Sequence, residues 1–179
     1  SVKENNTVGI TDATSDCTGA LTLTSKVTND GTEYTLVSID EDAFYWSKIT
    51  SVNIPATVKT LDKGAFRSCN KLASVTFDEG SQLTTIGDNA FYGATFPTIA
   101  IPEGVTSIGG SCFFTCTSLT SISLPSTLTT IGTSCFYKSG LTSVSIPASV
   151  TDLGAKAFLF CNKLASVTLP ADLTELKAG

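Results

Sequence analysis

The side chains that could carry chemistry in this sequence are six cysteines and one run of acidic residues, and the chain has no histidine. The absence of histidine excludes Ser-His-Asp and Cys-His catalysis and every zinc site that uses an imidazole ligand. The sequence also has no paired carboxylates within a recognition motif and no glycine-rich phosphate loop after a strand. We therefore predict that the protein is not an enzyme and uses no cofactor.

The acidic run Asp40-Glu41-Asp42 carries the oxygen ligands that calcium prefers. An organised calcium site, however, needs about six or more ligands from a shaped loop. A solvated turn before a helical segment, where acidic residues favour the N-terminus, is the other explanation of the run. We favour the solvated turn and predict no metal site.

Six phenylalanines divide the chain into units of about 22–23 residues, one of which has 25 residues. They are Phe44, Phe66, Phe91, Phe113, Phe136 and Phe158, each preceded by Ala or Cys. A run such as residues 141–147 follows each of them, and in this run Val144 and Ile146 alternate with Ser143 and Ser145. The alternation predicts a short, half-buried strand. Around each Phe the small and apolar residues lie at i, i+1 and i+4, which predicts one helical turn.

A unit of this size cannot bury its apolar residues alone, so the units must stack on one another. Their strands would then pair in parallel, about 4.8 Å apart. We predict a mainly β fold with short helical turns, arranged as a parallel-β solenoid of about six 22–23-residue repeats. The solenoid spans residues 34–179, and its last repeat is incomplete.

Residues 1–33 do not fit the repeat. Within them, Asn29-Asp30-Gly31 separates the alternating runs 20–24 and 34–36, and Asp-Gly in this position is typical of a β-hairpin. We predict a polar N-terminal tail followed by a hairpin that caps the first repeat. At the other end Leu173 and Leu176 lack the closing Phe of their repeat, which favours end-on self-association through an open edge.

The cysteines follow the repeat phase. Cys69, Cys116 and Cys161 occupy the same position in alternate repeats, so they should lie about 10 Å apart, beyond disulfide reach. Cys112 and Cys135 precede the Phe in adjacent repeats and could bond, although small inward residues suffice for packing there. We favour buried free thiols.

The repeated unit L-x-x-V-x-I-P-x-x-V-x-x-I-G-x-x-A-F-x-x-C resembles the leucine-rich repeat of the BspA-like family, over about residues 34–176. The unit departs from this pattern where Asp78 replaces the proline found at Pro55. The resemblance implies a curved leucine-rich-repeat solenoid and a cell-surface or secreted microbial protein. It also implies adhesion to host matrix proteins or other cells.

Charge and hydropathy restrict the partners. The net charge is −5 and the pI is about 4.6, whereas a nucleic-acid surface needs clustered Lys and Arg. No apolar run approaches the ~18–20 residues of a membrane-spanning helix. We predict no nucleic-acid partner and no membrane span.

Two surfaces are candidates for ligand contact. One is the outward side of the strands, where small hydroxyl residues include Ser121, Ser123, Ser143 and Ser145. These hydroxyls either share cross-strand hydrogen bonds or form a flat array of the kind that matches ice. A structural spacer within a larger surface protein is a further alternative.

The second candidate surface is a stripe formed by the residue after each Phe. Its aromatic members are Tyr45, Tyr92, Phe114 and Tyr137, and Trp46 lies beside the first of them. These rings either stack on one another, partly buried, or form an exposed contact stripe for a protein or glycan partner. We expect Trp46 to be the strongest anchor.

Overall fold

Apolar residues of every repeat form strands on two sides of a continuous coil. The computed structural model describes residues 1–3, 7–11, 13, 16–171 and 173. Within these residues the protein has sixteen strands and no helix. The predicted parallel-β solenoid is confirmed, since strands of successive repeats pair in parallel and in phase.

One side of the coil, which we call the strand face, consists of the alternating Ser/Val/Ile segments. Its strands are β3 (Thr18–Thr22), β6 (Lys48–Ile54), β8 (Ser74–Phe77), β10 (Thr98–Ala100), β12 (Ser121–Ser123), β14 (Ser143–Ser145) and β16 (Ser166–Thr168). They pair as β3-β6-β8, β10-β12 and β14-β16. The strand face is therefore three separate parallel sheets, with interruptions between β8 and β10 and between β12 and β14.

The other side is a nine-stranded sheet that the sequence did not predict. Its strands are β1 (Val2–Lys3), β2 (Thr7–Ile10), β4 (Lys26–Asn29), β5 (Thr32–Ile39), β7 (Thr60–Leu61), β9 (Thr85–Ile86), β11 (Ser107–Ile108), β13 (Thr130–Ile131) and β15 (Asp152–Leu153). From β7 onward each strand has two residues, the second of which is a buried Leu or Ile. A two-residue strand is too short to show alternation in the sequence.

The segment around each Phe is a run of turns, and the predicted helical turn is wrong. The amide of Phe113 donates to the carbonyl of Cys135 in the next repeat (2.8 Å), whereas the amide of Phe114 donates to Ser111 within the turn (3.2 Å). Ser111 and Thr115 have φ angles of 53° and 55°, in the left-handed region. Alternate amides thus bind the neighbouring coil, which prevents the i to i−4 bonds of a helix.

The core is a column of rings. Successive pairs of the repeat phenylalanines stack with centroids 5.2–5.7 Å apart. The first five are buried, whereas Phe158 is partly exposed because only Phe136 stacks on it among the described residues. The sequence did not predict Phe96, which is buried and meets Phe91 and Phe113 edge-on.

The Asp-Gly hairpin is confirmed, but with a different first strand. Lys26–Asn29 pairs antiparallel with β5, whereas Thr18–Thr22 pairs in parallel with β6 as an extra coil of the strand face. Thr35 pairs with Thr7 of β2 on one edge and with Lys26 of β4 on the other. The hairpin therefore lies on the side of β5 facing β7, and the N-terminal edge of the sheet is formed by β2 and β1. Leu173 packs against the core, and Leu176 lies outside the described residues.

Candidate functional site

Trp46 is the most exposed large aromatic side chain among the described residues, with 62% of its surface accessible. It lies at the second left-handed position of the first turn, with a φ of 59°. The same position in later repeats holds Ser68, Gly93, Thr115, Lys138 and Phe160. The fold thus requires a left-handed residue here, and a residue in that conformation turns its side chain away from the core.

Tyr45 supports the indole from one side. It is 40% exposed, and its ring centroid lies 6.0 Å from that of Trp46 at an interplanar angle of 38°. The guanidinium of Arg67 lies over the Tyr45 ring, 4.3 Å from its centroid. Two nitrogens of Arg67 donate to the carboxylate of Asp42, each at 3.2 Å. The paired hydrogen bonds hold Arg67 in place, and its cation–π contact holds Tyr45 beside the indole.

A depression of about 270 Å³ lies against the indole, lined by Asp16, Trp46, Lys48 and Asn70. We call this group the Trp46 corner. Asp16 precedes the strand β3, Lys48 begins β6, and Asn70 follows the turn of the next repeat. Three successive coils therefore build the corner. The sequence predicted Trp46 as an anchor but not Asp16, Lys48 or Asn70, because their proximity depends on the register between coils.

The rest of the aromatic stripe consists of stacked, half-buried rings. Tyr92 and Phe114 stack with centroids 5.1 Å apart, and Phe114 and Tyr137 at 4.4 Å. Stacking of these neighbouring rings on one another explains why the three positions are aromatic and half-buried. Phe160, two residues after Phe158, lies beside this stripe; it is 56% exposed and meets Tyr137 edge-on at 5.3 Å. Because Phe160 occupies the same position of its repeat as Trp46, the sequence spacing could have predicted its exposure.

The strand-face hydroxyls do not form one continuous lattice. Ser121, Ser123, Ser143 and Ser145 are all exposed, but they lie on β12 and β14, which belong to separate sheets. At this interruption a groove of about 570 Å³ is lined in part by Ile122, Leu124 and Pro147, with Glu103 at the same site. A second groove of about 350 Å³ lies at the interruption between β8 and β10. These two breaks disfavour the flat array that ice matching needs.

The three residues of the acidic run each bind different partners. Asp40 accepts hydrogen bonds from Ser1, Ser38 and Lys3, Glu41 pairs with Lys63 at 2.7 Å, and Asp42 pairs with Arg67. Burial alone would raise the pKa of Asp40, but its three hydrogen bonds together hold that pKa below its ordinary value. Asp40 thereby ties the first strand to the first full repeat. Among the described residues no group of His, Cys, Asp or Glu has the arrangement of a metal site.

The six cysteines are free thiols. Those at the repeat position donate to the carbonyl of the repeat Phe in the preceding coil: Cys69 to Phe44 (3.0 Å), Cys116 to Phe91 (3.1 Å) and Cys161 to Phe136 (2.9 Å). Burial raises the pKa of Cys69, raises that of Cys116 to about 12, and raises those of Cys112 and Cys135 well above the ordinary range. Cys69, Cys116 and Cys161 are thus structural hydrogen-bond donors, and burial suppresses the reactive thiolate form of Cys69, Cys112, Cys116 and Cys135.

Comparison with known proteins agrees with this architecture. The family described as BspA type Leucine rich repeat region (6 copies) matches residues 84–179, just over half of the chain. The chain is similar to a leucine rich cell surface protein of Faecalibacterium prausnitzii A2-165, with 31% identity and a TM-score of 0.67 over 93% of this chain and 51% of that one. It is also similar to a leucine-rich repeat protein of Bacteroides ovatus ATCC 8483, with 28% identity and a TM-score of 0.62 over 99% and 54% of the two chains.

The chain therefore belongs to the BspA-type leucine-rich repeat family, and it spans about half the length of these two structural relatives. Comparison with curated proteins gave no match. In the part of the chain that the structure describes, no helix is long and apolar enough to cross a membrane. The fold is one that presents extended surfaces to other molecules.

Proposed function

We propose that this protein is a non-catalytic recognition and adhesion module of a microbial cell-surface or secreted protein. The observation that carries the proposal is the Trp46 corner, an exposed indole on a rigid repeat scaffold. Membership of the BspA-type family supports it, as does the similarity to a protein described as a cell surface protein. The ligand is a host matrix protein, a glycan, or the surface of another cell.

The Trp46 corner is a better anchor than the strand face. Each hydrogen bond of a small hydroxyl exchanges with one to water, so its net contribution is only about 0.5–1.5 kcal/mol. Large aromatic side chains dominate interface energetics, and truncating one at the centre of an interface costs about 2 kcal/mol or more. The strand face then serves as a weaker, extended contact surface.

A structural spacer is the second candidate function, because a regular coil of parallel strands also makes a stiff rod. Saturable binding separates the two. The immobilised chain is exposed to a panel of matrix proteins, glycans and host cells. An adhesin gives at least one saturable interaction, whereas a spacer gives none. A measurement of thermal hysteresis tests ice binding, for which we expect no activity.

For any ligand found, matched variants locate the site. We expect Trp46→Ala to weaken binding by at least about tenfold. The double variant Ser121→Ala with Ser143→Ala should change it by less than about threefold. The reverse ranking would move the site to the strand face. End-on self-association through the last repeat stays a prediction, which sedimentation of the purified chain at increasing concentration tests.

A further inference from the structure

We infer that the Trp46 corner binds a neutral hexopyranose residue of a glycan, with the sugar ring stacked on the indole. This inference rests on the proposed recognition function and specifies its ligand class. It is carried by the combination of one exposed aromatic face with three hydrogen-bonding side chains around a single small depression.

Stability does not explain a tryptophan at position 46. A left-handed φ is unfavourable for a bulky residue, and glycine occupies the equivalent position at Gly93. The side chain is 62% exposed, so it gains little from burial in return. Its ring contact within the described residues is with Tyr45, at a tilt of 38°, which leaves an indole face open to solvent. The indole is thus exposed and available to a ligand.

The polar residues of the corner suit hydroxyl groups. Asp16 offers a carboxylate acceptor, Lys48 an ammonium donor, and Asn70 an amide that does both. Among the described residues no hydrogen bond or ion pair engages the side chain of any of the three. Neighbouring hydroxyls of a sugar donate and accept together, so this set can satisfy them. The C–H groups on one side of a pyranose are weakly positive and match the negative face of an aromatic ring.

The volume of the depression and the charges around it further restrict the class of sugar that can bind. A volume of about 270 Å³ lies just below the range of ordinary ligand sites, about 300–1,000 Å³, which favours one sugar ring over a longer segment. The charges of Asp16 and Lys48 offset one another in the corner, and the net charge of −5 of the whole chain disfavours acidic sugars. A galactoside fits best, because its axial C4 hydroxyl leaves the C3, C4 and C5 hydrogens together on one apolar side.

The single tryptophan of the chain makes the test direct. Methyl β-D-galactopyranoside is titrated into the protein to about 100 mM, since one weakly held sugar has a dissociation constant on the order of millimolar. We expect a saturable blue shift and intensity change of the Trp46 fluorescence. Methyl β-D-glucopyranoside should bind more weakly, and sodium galacturonate more weakly still.

Saturation-transfer NMR extends the test to the variants of Trp46, which have lost the fluorescent side chain, and allows all variants to be compared by one method. We expect Trp46→Gly to abolish transfer to the galactoside, Trp46→Phe to retain part of it, and Asn70→Ala to weaken binding at least about fivefold. Phe160→Ala is the matched control, because it removes an exposed aromatic side chain from the equivalent position in another repeat. This control should bind as the unmodified protein does.

The outcomes separate this inference from the proposed function. Sugar binding that survives Trp46→Gly, or no fluorescence response to any of the three sugars, overturns the glycan inference. If a matrix protein nevertheless binds in a Trp46-dependent manner, the recognition function stands with a protein ligand. If neither sugars nor matrix proteins nor cells bind the chain, both proposals fail and the spacer function replaces them.

Discussion

Replacing Phe113 with alanine tests whether the ring column holds the solenoid together. Phe113 is completely buried. Its ring stacks on Phe91 at 5.7 Å and on Phe136 at 5.4 Å, and it meets Phe96 edge-on at 6.3 Å. The substitution would therefore remove three ring contacts and leave a cavity between two repeats.

The expected destabilisation can be worked from these contacts. Truncating a buried Phe to Ala costs about 3–5 kcal/mol through lost transfer free energy and the cavity left behind. Each aromatic pair adds about 0.5–1.5 kcal/mol beyond burial, and Phe113 has three, so we expect the upper part of the range, about 4–5 kcal/mol. Phe158→Ala is the control, because this residue is only partly buried and has one stacked partner. We expect it to cost about 2 kcal/mol.

Urea denaturation followed by circular dichroism measures the free energy of unfolding of each variant. Hydrogen exchange shows where the stability is lost. Because each repeat contacts only its neighbours, protection should fall most in the turns that contain Phe91 and Phe136, and least around Phe44. A loss below about 1 kcal/mol, or one equal to that of Phe158→Ala, would refute the reasoning.

Further predictions concern three other sites. Trp46→Gly should raise the free energy of unfolding by about 0.5–1 kcal/mol in thermal unfolding, because glycine accepts the left-handed φ without strain, and a destabilised variant would contradict this. Gly132→Ala should cost more than about 2 kcal/mol, since the added Cβ would clash with the backbone nitrogen of Gly110, and an unchanged urea midpoint would argue against that clash. At pH 8 a thiol reagent should modify Cys17 before the other five cysteines, which are buried. Burial raises the pKa of the Cys116 thiol from its ordinary value of 9.0 to about 12. The contribution of this thiol to the free energy of unfolding is therefore present below pH 9 and is lost as the pH rises toward 12.

The repeat phase was readable from sequence because stacking forces equivalent residues into equivalent positions. The spacing of the phenylalanines predicted the column, and the alternation of Val144 and Ile146 with serines predicted the strand face. The second sheet escaped prediction because its strands have only two residues in each later repeat. What makes these short strands regular is pairing with neighbouring coils, and a single repeat does not contain that information.

The turn was misread for a related reason. A small residue, a Phe and a second small residue at i, i+1 and i+4 fit one face of a helix equally well. The structure uses two left-handed residues per turn, and of these twelve positions only Gly64 and Gly93 hold the glycine that would signal them. Hydrogen bonds from alternate amides to the next coil supply the energy that holds them there.

The same arrangement explains how a recognition site can vary without disturbing the fold. The ring column and the inter-coil hydrogen bonds provide the stability, and neither requires a particular side chain at the second left-handed position. That position accepts Gly93, Thr115 and Trp46 in different repeats because none of them contributes a side chain to the buried core. The residues around Trp46 come from three coils. Binding of a ligand there therefore depends on the register between the coils as well as on their side chains. Binding at the corner should consequently be lost when the first coils separate, even while the later repeats remain folded.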